Sequence, residues 1–195
     1  MIVFMASLLV FMGKARCCAA RVLQVPFRPK HGNVPIQPRE GLIEPMKVYL
    51  GFTVAGNRSS VQAAKKILGV LQSMGHQVLT SHLVREDAWD ADRMVPPQEI
   101  FARDMKWLAQ CDIFVAEVSG SSFGLGLETG YLLGATQKKT ILFFERGAGE
   151  RISLLITGNT HPNCILVPYS QLEELETLCQ ECVGPAEASA SVDCA

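Results

Sequence analysis

Asp112-Ile113-Phe114-Val115-Ala116-Glu117-Val118 runs straight into Ser119-Gly120-Ser121-Ser122-Phe123-Gly124-Leu125-Gly126-Leu127-Glu128-Thr129-Gly130. The first segment is an almost continuous apolar run of strand length, as found in parallel strands covered on both faces. The second opens as a loop of small residues and becomes an apolar helix with Glu128 in its first turn. An acidic side chain then stands at the carboxyl end of a strand, where open α/β sheets bind their ligands. The glycines let a ligand approach the backbone closely, and the helix macrodipole favours the ionised carboxylate. With no cation beside it, such a carboxylate suggests a nucleophile or a base. The alternative is that Glu128 merely stabilises the helix end.

Outward from this stretch the chain alternates strand and helix. Lys47-Val48-Tyr49-Leu50-Gly51-Phe52 reads as a first strand, turning into the loop Thr53-Val54-Ala55-Gly56-Asn57-Arg58. Ser59 or Ser60 can cap a helix whose apolar positions Val61, Ala64, Ile67, Leu68, Leu71 and Met74 recur at helical spacing. Residues 76–80 form a second strand, and the acidic, aperiodic segment 85–97 reads as a surface loop over the site. A helix over 98–110 precedes the opening strand. Residues 139–144 and 164–167 add two strands, and 171–182 a last helix. This alternation predicts an α/β, flavodoxin-like three-layer fold: a five-stranded parallel sheet with helices on both faces. The folded domain is expected over residues 46–183, with 1–45 a poorly ordered extension and 184–195 a disordered tail.

Bulk properties narrow the function classes. A formal net charge of -1 over 195 residues offers no basis for wholesale nucleic-acid binding. The apolar run within residues 1–12 is too short to span a bilayer, so no membrane partner is expected. Positive charge follows that run, the reverse of a secretory signal. The segment reads as an upstream extension, with an organelle address as the alternative. The seven cysteines are scattered, which suggests a reduced, cytoplasmic protein, nuclear or organellar if the extension is an address. Cys179-x-x-Cys182 lacks the second ligand pair of a zinc site. His82 and His161 lack ligand spacing, so no metal is expected. Gly124-x-Gly126-x-x-x-Gly130 follows the third strand and is not the dinucleotide fingerprint.

Other residues invite both structural and chemical readings. Spacing alone puts Asp104 on the solvent side of its helix, although two carboxylates at one pocket can divide nucleophile and acid roles. Tyr49 suits the core, or lends its hydroxyl to a carboxylate. Glu117 reads as structural or as a support to the site. Ser153 reads as a helix N-cap, or a donor to an anion.

Four blocks carry a resemblance: Tyr49-Leu50-Gly51-Phe52-Thr53-Val54-Ala55-Gly56-Asn57-Arg58, Arg103-Asp104-Met105-Lys106-Trp107-Leu108, Ala116-Glu117-Val118-Ser119, and Gly124-Leu125-Gly126-Leu127-Glu128-Thr129-Gly130. Over about residues 46–182 the chain resembles the nucleoside 2-deoxyribosyltransferase superfamily, and most its 2'-deoxynucleoside 5'-phosphate N-hydrolase branch. The resemblance implies Glu128 as a nucleophile on the anomeric carbon, Asp104 as the carboxylate that contacts the sugar and assists proton transfer, and Tyr49 as the group orienting the nucleophile. It implies substrate binding by Thr53, Gly56, Arg58, Ser122, Gly124 and Gly126. Ser153 would reach the neighbouring subunit's phosphate site, which implies a homodimer. Ala55 stands where the branch carries an arginine, with Arg58 three residues on, and Phe52 where it carries glycine. The implied reaction is retaining hydrolysis of a (2'-deoxy)nucleoside 5'-monophosphate to free base and sugar 5-phosphate, with water the acceptor and no cofactor needed. A deoxyribosyltransferase and an idle nucleotide-binding sensor are the alternatives.

Overall fold

A computed structural model describes residues 45–120, 122–148 and 152–184. Five parallel strands form its sheet: β1 (Lys47–Gly51), β2 (Gln77–Val78), β3 (Ile113–Glu117), β4 (Lys139–Glu145) and β5 (Cys164–Tyr169), in the order β2-β1-β3-β4-β5. This is the expected flavodoxin-like order. Apart from Pro45 and Gly184, the proposed extension and tail lie outside the described residues, so both expectations stand untested.

Side-chain alternation divides the core into two. Val48, Leu50, Val115, Ile141 and Phe143 face α1 (Val61–Ser73) and α6 (Glu174–Val183), where Ile67, Leu71 and Leu175 are fully buried. Tyr49, Phe114, Ala116 and Leu142 face the other way, against Leu108 of α3 (Pro97–Gln110) and Leu125 and Leu132 of α4 (Phe123–Ala135). Period-two strands meeting period-3.6 helices on both faces account for the three layers. The close seat of α4 on β1 requires Gly51, since a Cβ there would lie 2.6 Å from Leu125 Cδ1 and 2.9 Å from Phe114 Cζ.

Three local expectations need correction. Segment 85–97 is not all loop: α2 (Ala88–Arg93) forms within it, seating Ala88 in the core. Ser60 stands at the N-cap of α1 but makes no capping bond; its hydroxyl is turned toward Glu117 and donates there. The glycine-rich segment after β3 is itself helical. Ser122 is the cap of α4, its hydroxyl accepting from Leu125 N–H at 3.3 Å, so Glu128 falls in the second turn.

Candidate active site

Tyr49 projects from β1 with its ring stacked on Phe114, centroids 5.5 Å apart. Its hydroxyl donates to Glu128 Oε1 at 2.7 Å. Burial, followed by the charges of Glu128 and Asp104, raises the phenol far above its ordinary pKa. It therefore remains a permanent donor. Glu128 itself is pushed up to about 7, first by burial; the Tyr49 hydrogen bond pulls it down, Asp104 pushes it up and Arg103 lowers it. The macrodipole fades beyond the first turn, so burial, not the helix end, governs this carboxyl group.

Asp104 is held on α3 rather than turned out to solvent, its side chain 21% exposed. Arg103 donates to it through Nε at 2.8 Å and Nη2 at 3.4 Å. The same guanidinium bonds Asp92 of α2 at 3.1 Å and lies 5.0 Å over the Trp107 ring. Arg103 is thus committed to Asp104 and Asp92, and only its charge reaches Glu128.

His82 tilts against Trp107, centroids 5.6 Å apart, with its Nε2 buried and unpartnered. Burial, then Arg103, lowers its pKa, leaving a neutral imidazole with one nitrogen free to accept or donate. Sequence reasoning set His82 aside because it looked only for metal spacing. It passed over Asp92 and Arg103 as sites because their pairing depends on α2.

The first loop is braced internally. Thr53 is buried, and its Oγ1 accepts from Gly56 N–H at 2.9 Å. Arg58 donates to the carbonyls of Thr53, Leu83 and Arg85 at 2.8–3.0 Å and lies 5.1 Å over Phe52. Three backbone acceptors occupy a guanidinium expected to face substrate. Arg58→Ala is therefore expected to cost about 1–3 kcal/mol of stability, read as a lower denaturant midpoint. An unchanged midpoint would mean that the brace carries nothing. Gly120 presses this loop from the β3 side, where a Cβ would fall 2.1 Å from Asn57 O.

Ser122, Gly126 and Ser153 line a different space, a groove of about 660 Å³ between α4 and α5 (Leu154–Thr157). Ser153 caps α5, accepting from Leu155 N–H at 3.3 Å. Glu128, Tyr49 and Asp104 do not line this groove. Gly124 is exposed on the first turn of α4. The predicted residues thus fall into a carboxylate cluster, a braced first loop and an apolar groove.

Among the described residues no group of His, Cys, Asp and Glu could hold a metal, and no helix is long and apolar enough to cross a membrane. Cys179 and Cys182 are free thiols, the former pushed up to about 12 by burial.

A family model described as nucleoside 2-deoxyribosyltransferase matches residues 48–155. A provisionally named 2'-deoxynucleoside 5'-phosphate N-hydrolase 1 of Thermofilum pendens is 40% identical over 129 residues, covering 66% of this chain and 89% of that protein. A 5-hydroxymethyl-dUMP N-hydrolase of Tetraodon nigroviridis is 31% identical over 138 residues, covering 70% and 96%. The solved structure of the CMP N-glycosidase BcmB of Clostridium botulinum aligns with a TM-score of 0.49 at 22% identity, covering 68% and 96%.

Proposed function

The chain belongs to the nucleoside 2-deoxyribosyltransferase family, and on that premise we propose that it hydrolyses the N-glycosidic bond of (2'-deoxy)nucleoside 5'-monophosphates. The observation that carries this reading is the part-buried Tyr49–Glu128 pair beside Asp104. Tyr49 occupies Oε1 and leaves Oε2 for the anomeric carbon. As the C1'–N bond breaks and the C1'–O bond to Glu128 forms, the base departs with its electron pair and takes a proton. Asp104 contacts the sugar and assists that transfer, and the neutral His82 offers a hydrogen bond to the departing base. Water then attacks C1', and as the proton it loses replaces the one the base took, Glu128 is restored and the configuration retained. Thr53 and Gly56 would hold the phosphate end from the first loop, and Ser122, Gly124 and Gly126 would meet it from α4, where Gly120 joins the groove to that loop. Arg58 would contribute by bracing the first loop. The relatives named as nucleotide N-hydrolases support this substrate class.

The catalytic domain in this reading spans residues 46–183, and the four free cysteines among the described residues support a reducing compartment such as the cytoplasm. The decisive test is a panel of ribo- and deoxyribonucleoside monophosphates, with unphosphorylated nucleosides as controls, scored for free base and sugar 5-phosphate. No release from any of them overturns the reading. Release only when a second base is supplied would make the enzyme a transferase.

A homodimer belongs to the same proposal. Phe123, Leu154 and Leu155 are 94%, 83% and 85% exposed around the groove that Ser153 lines, an apolar rim suited to a second copy. If Ser153 serves the neighbouring site, Glu128→Ala and Ser153→Glu proteins, each inactive alone, recover activity when mixed under subunit exchange. A mixture as inactive as its components would confine Ser153 to its own subunit.

A further inference from the structure

Glu117 ends β3 with 0% of its surface exposed, and no salt bridge among the described residues reaches it. A carboxylate taken out of water needs other solvation. Three hydroxyls and one amide provide it. Oε1 accepts from Ser119 Oγ–H, from Ser119 N–H at 3.3 Å and from Tyr169 Oη–H at 3.0 Å, and Oε2 accepts from Ser60 Oγ–H. Ser119 Oγ in turn accepts from Glu145 N–H at 2.8 Å, which leaves its own proton to point at Glu117. Burial raises the Glu117 pKa, and the hydroxyls draw it back.

The origin of these donors gives the cage its meaning. Ser60 opens α1 directly after the first loop, and Ser119 opens the segment that leads to Ser122 and α4. Tyr169 and Glu145 end β5 and β4. The two loops also touch, at Gly120 against Asn57. Packing alone would be served as well by an apolar residue of similar size, and Val115 and Val118 nearby are such residues. A fully satisfied polar cluster instead specifies one arrangement of the segments it joins.

We propose that Glu117 is a positioning residue that locks the first loop and the β3 loop into a single cradle for the substrate's 5'-phosphate. It rests on the nucleotide-hydrolase reading above. The lock would set affinity for phosphorylated substrates, leaving bond cleavage to Tyr49, Asp104 and Glu128.

Glu117→Gln tests this, because an amide keeps one acceptor oxygen and turns an N–H toward a hydroxyl that already donates. KM for a nucleoside monophosphate is expected to rise about tenfold while kcat stays within about threefold. Turnover of the unphosphorylated nucleoside is expected to be unchanged. Amide hydrogen exchange at Gly56, Ser119 and Glu145 should quicken by about tenfold without a general loss of protection. A KM within about twofold of the original, or equal losses with both substrates, overturns the proposal. Should the unmodified enzyme release no base at all, the hydrolase reading fails by itself; unchanged exchange at those amides would separately overturn the lock. Ser60→Ala and Tyr169→Phe each remove one donor and decide by the same measurements if the glutamine variant does not fold.

Discussion

Glu128→Gln is expected to lower kcat for base release by at least about a thousandfold, with KM little changed, because the proposed attacking oxygen is lost while the shape is kept. The same substitution is expected to stabilise the fold above neutral pH. In the folded protein burial pushes Glu128 up to about 7 from an ordinary 4.5. The folded state therefore holds this proton over a range where the unfolded chain has released it. Stability contributed by the neutral carboxyl is present below pH 4.5 and is lost as pH rises through 7. Above that point the buried charge costs on the order of 3 kcal/mol, a cost that glutamine, still accepting from Tyr49, does not carry. Urea unfolding at pH 8 should show the gain, and at pH 5 it should shrink. An equal effect at both values would sink the assignment. The proposed covalent intermediate gives a further check, since a slowly turned over 2'-fluoro nucleoside monophosphate should leave its sugar on Glu128, visible as added protein mass.

Tyr49→Phe is expected to act through pH. The phenolic O–H favours the ionised form of Glu128, so its removal raises that pKa further. In the unmodified enzyme kcat/KM should rise with pH along a limb centred near 7, the value burial sets for Glu128. In the phenylalanine variant the limb moves upward, and kcat/KM at slightly acidic pH falls by about tenfold or more. Part of the loss returns at alkaline pH, where Glu128 ionises without help. A uniform loss with an unmoved limb would show that the phenol serves geometry alone.

Much of this arrangement is readable in the chain because it depends on local pattern. The five strands, their order and the helices over 61–73 and 97–110 follow from apolar period and spacing. The segment 122–130 misleads because glycine and serine normally mark a loop. Here Ser122 caps the helix, and Leu125, Thr129 and Leu132 seat it in the core despite the glycines. Glu128 was legible as a candidate, but its environment was not. Its raised pKa comes from burial against β1, which no neighbouring residue announces. Asp104 looked solvent-facing because its helix partner, Arg103, is itself anchored to Asp92 on a helix that the acidic composition of 85–97 concealed. The Glu117 cage draws on Ser60 and Tyr169, 57 and 52 residues away, distances at which spacing says nothing.

The Tyr49–Glu128 bond joins positions 79 residues apart, across the pairing of β1 with β3 and the docking of α4. Contacts of such long sequence separation form late, after local helices have appeared. A half-assembled chain, however helical, has neither the oriented carboxylate nor the dry surroundings that tune it. On refolding from denaturant, far-ultraviolet dichroism should therefore return ahead of base release. The lag between the two would time the closure of the sheet, making enzymatic activity a clock for the final step of folding.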